Sequence, residues 1–315
     1  MLYYRKPGKS IVRKKGFFVK NDWKREGFIV SDHDGKNTWF FEESNEYLKE
    51  DVQEIWSSSL TITKQEYLEF GNKTLHEIRN TSLNKFVLSR IECTTFPKNK
   101  RLALFKSLCS SYPSAFVYYM EDKQLGTWIG ASPEQLLSKK NNFYQTRAIA
   151  GTKLATDNNT WGIKEIEEQE YVTQFILEQL SQLKSENTKT KGPFTLDAGP
   201  IKHLCTEIDF EYPLHPKAVL KALHPTPAVL GYPFNESLDF RKKIEQHERA
   251  LYSGYIGHYS DSFIDLYVNI RCCRLVNNHM YLYLGGGYTK DSIPEKEWQE
   301  TENKKKTFTS LMNLL

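Results

Sequence analysis

Nowhere in this chain of 315 residues does an apolar run approach the ~20 residues that a helical bilayer span requires. The opening MLYYRKPGKS also lacks the apolar core of a secretory leader, so a cytoplasmic protein without a membrane partner is expected. Cysteine is scarce too: Cys93, Cys109, Cys205, Cys272 and Cys273 are odd in number, form no CxxC, and include an adjacent pair that a strand would point to opposite faces. They read as structural thiols. The eight histidines show no HxxxH or HExxH spacing, and none is placed near a cysteine pair, which disfavours zinc. Short-period repeats and low-complexity tracts are absent, which argues against a solenoid or a disordered tail.

What is present is an ordinary globular composition, with 39% hydrophobic, 26% charged and 13% aromatic residues. The net charge of +4 is local, because residues 1 to 25 carry nine Lys/Arg against the single acid Asp22 and leave the other 290 residues at −4. Such an arm could touch nucleic acid. A solvated first hairpin explains it more simply, and no nucleic-acid partner is expected.

Short aromatic or β-branched runs such as GFFV, GFIV, TWFF, KFVLSRI, AFVYYM, GTWIGA, FIDLYVNIRCCRL and MYLYLG read as strands. Helical patterns span about 62–79, 97–110, 162–184, 216–223, 239–251 and 294–314, and the polar stretches 152–160 and 185–192 read as loops. The order suggests an α+β fold with large, mostly antiparallel sheets.

The last helix places charge on its buried stripe. At 100° per residue Glu297, Glu300 and Lys304 share the face of Phe308, Leu311 and Leu315, whereas Glu295, Glu302 and Lys306 project to the far side. The helix from about 162 repeats this, with Glu165 and Glu168 inside the stripe of Val172, Phe175, Ile176, Leu180 and Leu183. Burying unpaired ions costs several kcal/mol, so something must compensate them. Paired carboxylates from two helices suit a hard cation such as Mg²⁺, and a structural ion-pair network with Lys or Arg suits them equally.

In NKFVLSRIE, period-2 alternation puts Lys85 with Val87, Ser89 and Ile91 on one strand face. A desolvated lysine can serve as a base near neutral pH, and a strand-end lysine can also snorkel to water. Ser132 and Pro133 read as the N-cap and first position of a short helix holding Glu134 in its first turn. Gly285, Gly286 and Gly287 follow a strand. Their amides could approach a ligand, although neither GxxxxGK[ST] nor GxGxxG is present and a tight turn is the simpler explanation.

Taken together, KFVLSR, GASPEQLL, TRAIAGT, KEIEEQEYV, HLCTEI, LHPTPAVLGYP, ERALYSGYIG, VNIRCC, GGG and EKEWQETENK occur in an order that resembles the chorismate-utilising enzymes. That family comprises isochorismate, salicylate, anthranilate and aminodeoxychorismate synthases. The resemblance runs from about Lys85 to Lys304. It implies an α+β fold of two similar halves with large, mostly antiparallel sheets packed face to face, helices outside, and the site between them. Residues 1–80 would form a shortened N-terminal part of the sheet-forming region and 81–315 the catalytic region, in one compact unit. It further implies chorismate as substrate and Mg²⁺ as cofactor. Lys85 matches the lysine that activates water, Glu134 the acid that protonates the departing 4-hydroxyl, and Glu168 and Glu300 the metal ligands, with Glu165 and Glu297 as the second carboxylate of each pair. Tyr252, Arg271, Lys304 and the backbone of Gly285–Gly287 resemble the carboxylate-gripping groups, and His203, Thr206 and Ala228 lie in motifs lining the ring.

Three positions bear on the branch. Ala150 stands where lysine-nucleophile aminodeoxychorismate synthases carry their lysine, and Lys85 is the residue that ammonia-using members lack, so water is the expected nucleophile and no glutaminase subunit is expected. Ala228, where salicylate-forming members often carry a polar residue, favours stopping at isochorismate. Salicylate synthase and a non-catalytic chorismate-binding regulator are the alternatives. Gln169 departs from the histidine usual after the metal glutamate.

Overall fold

The computed structural model describes residues 1–21, 23–45, 61–198 and 201–315; positions 46–60 of the expected N-terminal region lie outside them. In chain order the first elements are β1 (Leu2–Arg5), β2 (Val12–Lys14), β3 (Gly16–Lys20), β4 (Gly27–Ser31), β5 (Thr38–Glu43) and α1 (Lys64–Asn80). Next come β6 (Lys85–Thr95), α2 (Arg101–Ser111), β7 (Phe116–Asp122), β8 (Gly126–Ser132), β9 (Gln135–Lys140), β10 (Phe143–Leu154) and α3 (Ile163–Gln182). The chain continues through β11 (Glu186–Ala198), β12 (Ile201–Glu211), α4 (Lys217–Leu223), β13 (Gly231–Tyr232) and α5 (Phe234–Ile244). It closes with β14 (Tyr255–Tyr259), β15 (Phe263–Val268), β16 (Cys272–Val276), β17 (His279–Thr289) and α6 (Pro294–Met312).

These strands build two antiparallel sheets. One has eight strands in the order β13-β6-β17-β16-β8-β7-β1-β2, the other nine in the order β11-β12-β10-β9-β15-β14-β4-β5-β3. Leu2, Tyr118, Trp128 and Tyr283 of the first pack against Phe18, Phe28, Ile256 and Tyr267 of the second, forming the core between the sheets. On the outer faces α3 and α4 cover the nine-stranded sheet, while α1, α2, α5 and α6 cover the eight-stranded one. The expected α+β architecture is what forms. The basic N-terminal segment is a hairpin, β1 against β2, as its composition suggested.

The apolar stripe of α3 buries Val172, Phe175, Ile176 and Leu180, worth roughly 6–12 kcal/mol gross at about 1.5–3 kcal/mol per side chain. That outweighs the several kcal/mol of bringing ionised carboxylates onto the same face, so the helix holds its acidic first turns in place.

Four local expectations need correction. The polar stretch 185–192 is largely strand: β11 pairs with β12 along a sheet edge, and its side chains are mostly exposed, so solvation of both faces erases the alternation that would have marked it. The 152–160 stretch begins as the end of β10. The helix expected at 239–251 is α5, which stops at Ile244 and gives way to turns. The run FIDLYVNIRCCRL is two strands in different sheets, broken at Asn269–Arg271, where Arg271 has φ +49°.

Candidate active site

The last of these corrections locates the site. The chain crosses between sheets at Pro133–Glu134, from β8 to β9, and again at Asn269–Arg271, from β15 to β16. The crossings lie side by side: Ser132 Oγ donates to Val268 O at 2.6 Å, the Val268 amide to Glu134 O at 2.9 Å, and the Ala131 amide to Arg271 O at 3.0 Å. Glu134 therefore sits on a sheet-to-sheet link and not in a helix, because Ser132 uses its hydroxyl to tie the two crossings together. Among the described residues this places one carboxyl and one guanidinium at the seam of the two sheets.

A cleft opens there, lined by Glu134, Glu168, His203, Ala228, Tyr252 and Arg271, with Gly285, Gly287, Glu300 and Lys304. Apolar walls come from Val87, Ile149, Val229 and Tyr283. Its volume is about 110 Å³; at roughly 10–15 Å³ per water position this accommodates about seven to eleven waters, the bulk of a small functionalised ring. An outer chamber of about 840 Å³ adjoins it, sharing Pro133, Arg271, Glu300 and Lys304 and adding Lys164, Glu165 and Glu297.

Lys85 is fully buried behind Glu168, with Nζ 2.9 Å from Glu168 Oε1. That contact has ion-pair distance without hydrogen-bond alignment, and Nζ has no hydrogen-bond partner among the described residues. The glycines are strand residues of β17, not a turn: Gly285, Gly286 and Gly287 pair with Ser89, Leu88 and Val87. They are needed for close approach. A Cβ would meet Tyr252 Oη at 2.6 Å from Gly285, Tyr67 Oη at 2.7 Å from Gly286, and Glu168 Oε1 at 2.8 Å from Gly287. Gly286 thus faces the helices, and its two neighbours face the cleft.

The electrostatics separate the acids. Burial pushes Glu134 up to about 7, against the opposing pull of Lys85 and Lys304. Burial and the nearby Glu300 raise Glu297, whereas Glu300, pushed up by burial, ends below the usual range because Lys304 holds it at 2.6 Å. Lys304 also donates to Gly285 O at 2.7 Å. Burial lowers His203 to about 4, so it is neutral at pH 7; its Nδ1 lies 3.0 Å from Gly151 O, and since a carbonyl only accepts, Nδ1 carries the proton. Arg271 donates to Thr307 Oγ1 at 3.0 Å.

Among the described residues no three carboxylate, imidazole or thiol groups form a finished metal shell. Glu168, Glu297 and Glu300 face one another, but each is held by a lysine, Glu297 by Lys164 at 2.5 Å. Glu165 stands apart, its Oε2 over Gly162 at the start of α3. Thr206 lies behind the cleft wall, where its Oγ1 accepts from Gln169 Nε2 at 3.1 Å. The sequence pattern missed Lys164, although its place beside Glu165 was a usable signal. Burial opposes but does not overcome the acids around it, and its pKa is raised. A hard divalent cation fits the donor set nonetheless: the donors are oxygens only, and Glu297 Oε2 is buried with no hydrogen-bond donor.

A family model described as "Chorismate binding enzyme" matches residues 24–313. The chain belongs to that family. It is 29% identical over 246 residues to the isochorismate synthase EntC of Escherichia coli (strain K12), covering 74% of this chain and 63% of EntC. It is 26% identical over 274 residues to anthranilate synthase component 1 of Aquifex aeolicus (strain VF5), covering 82% of this chain and 55% of that protein. The chain thus spans less than two thirds of the length of either. Its fold is similar to that of the menaquinone-specific isochorismate synthase MenF of Escherichia coli, with a TM-score of 0.80 at 21% identity over 99% of this chain and 88% of MenF. No helix among the described residues is long and apolar enough to cross a membrane.

Proposed function

We propose that this chain converts chorismate reversibly to isochorismate, with water as the nucleophile and Mg²⁺ as cofactor. The observation that carries the reading is a buried lysine set behind the cleft's Glu168, close enough to act electrostatically on a buried cleft carboxyl, Glu134, whose pKa is near 7. Glu134 can donate a proton at neutral pH, and Lys85 is its counterpart as proton acceptor in this reading. Lys85 takes a proton from water as its oxygen bonds ring carbon 2. Both ring double bonds shift by one position, the bond from carbon 4 to its hydroxyl breaks, and Glu134 hands its proton to the departing oxygen so that water leaves. Atoms and charge balance, and the net change is an isomerisation.

Arg271, Lys304 and Tyr252 bind the substrate's two carboxylates, and Gly285 and Gly287 keep the floor low enough for them. Gly286 leaves room for Tyr67 on the opposite face. His203 and Ala228 line the ring, with Thr206 supporting the wall. Glu168 and Glu300, with Glu297 beside them and Glu165 farther out on the first turn of α3, would hold Mg²⁺, which when bound neutralises a substrate carboxylate and draws electron density from the attacked ring. With water as nucleophile no ammonia-delivering subunit is required.

Chromatography of products from chorismate plus Mg²⁺, with and without ammonium and with pyruvate assayed in parallel, tests this. Isochorismate without pyruvate, independent of ammonium, is the expected outcome. Stoichiometric pyruvate would assign salicylate formation, and ammonium-dependent anthranilate without isochorismate would overturn the proposal.

A further inference from the structure

The reaction as drawn has no use for Lys164. Its Nζ is 2.5 Å from Glu297 Oε1, joining the first turn of α3 to the first turn of α6 across 133 positions of sequence. The Glu297 side chain is 1% exposed and the Lys164 side chain 27%. Glu168 and Glu300 each have a lysine of their own, so each of the three carboxylates has one lysine against it. Two of those lysines are committed elsewhere: Lys85 is fully buried behind Glu168, and Lys304 also holds the carbonyl of Gly285. Lys304 is nearly as exposed and borders the same outer chamber. Among the described residues, however, Lys164 alone of the three combines partial exposure with its carboxylate as sole hydrogen-bond partner, and in the chamber its ammonium has space to reach water.

We propose that Lys164 is a built-in competitor of the divalent cation: it neutralises Glu297 until a cation enters, then withdraws into the outer chamber. This rests on the Mg²⁺ reading above and adds that the chain's own side chain sets the cation affinity. Glu297 is the pivot, since a buried carboxylate must be compensated by one partner or the other. If the paired state outweighs the released state by about ten to one, the apparent cation affinity is weaker than the site's intrinsic affinity by about the same factor.

The test is calorimetric titration of MgCl₂ into the substrate-free full chain at fixed pH and ionic strength, with thermal unfolding in EDTA and in saturating MgCl₂. Lys164→Met should bind Mg²⁺ about tenfold more tightly than wild type while melting lower in EDTA, so that Mg²⁺ raises its Tm by more. Lys164→Arg, which keeps the ion pair, should behave as wild type in both measurements. Should the Met variant not fold in EDTA, Lys164→Gln offers Glu297 a neutral donor and must change the affinity in the same direction. Equal or weaker Mg²⁺ binding by the neutral variants overturns the inference while leaving the Mg²⁺ reading intact. Absence of divalent-cation binding by the wild type overturns both.

Discussion

Two clusters of buried charge lie along the same face of β6, and they are built on opposite principles. Around Ser89 the pairing is complete: Arg249 donates to both oxygens of Glu245 at 2.8 and 2.6 Å, to Val87 O at 2.7 Å and to Val229 O at 2.6 Å, while Glu245 also accepts from the Ser89 amide and hydroxyl. Burial alone would raise Glu245, yet Arg249 holds it at about 2. Four residues along the strand, Lys85 Nζ has no hydrogen-bond partner among the described residues, and the nearby Glu134 sits near 7. Burial is common to both clusters, and what separates them is unfinished pairing. A closed network holds walls together, whereas an open one leaves valences for a ligand.

The largest effect should come from breaking the open cluster. Lys85→Ala and Glu134→Gln should each lower kcat by about 10² to 10⁴-fold, with chorismate affinity little changed because Arg271 and Lys304 remain. The double variant should be not much worse than either single one. Near-normal turnover by Lys85→Ala would remove the lysine from its role. The pH dependence follows from Glu134. Because its pKa is raised from 4.5 to about 7, the protonated donor is lost above neutrality, and turnover should fall about tenfold per pH unit there. The folded state also binds this proton more tightly than the unfolded chain does. Stability from Glu134 is therefore full below about pH 4.5 and lost as pH rises to about 7. Urea titrations at pH 5 and pH 8 should show Glu134→Gln gaining about 2–3 kcal/mol on wild type between the two.

The closed cluster should respond in the other currency. Arg249→Met strands Glu245 with its charge buried, and should cost about 3–5 kcal/mol of stability by denaturant titration. The folded fraction should keep far more turnover than Lys85→Ala does. A loss of turnover equal to that of Lys85→Ala, without loss of stability, would erase the distinction between the clusters.

That distinction was only half legible in the sequence. Helical and strand periodicity placed Glu168, Glu297, Glu300 and Lys85 on buried faces, because the period of a regular element fixes direction. Glu134 and Arg271 were harder to place. Both lie where the chain passes from one sheet to the other, and an apolar run that changes sheets has the same composition as one that does not. Glu245 and Arg249 sit beyond the end of α5, in turns where no period exists. Their pairing is set by tertiary contacts with Val87 and Val229, which a linear pattern cannot express.

The smallest change that should tell the clusters apart leaves every charge in place. A Cβ on Gly287 would meet Glu168 Oε1 at 2.8 Å and approach Lys85 Cε at 3.7 Å. The obstructing atom is the end of a flexible side chain, so Gly287→Ala can be relieved by swinging the carboxylate, and the lower backbone entropy of alanine in a strand returns about 0.5–1 kcal/mol. Net stability should therefore move by less than about 1 kcal/mol. The Lys85–Glu168 pair, however, has to open, and a displacement of this kind in a reacting constellation is felt in the barrier. Turnover should fall about tenfold while the melting temperature barely moves. Were Gly287→Ala as active as wild type, the 2.9 Å spacing of Lys85 and Glu168 would be incidental, and the open cluster would work through its charges alone.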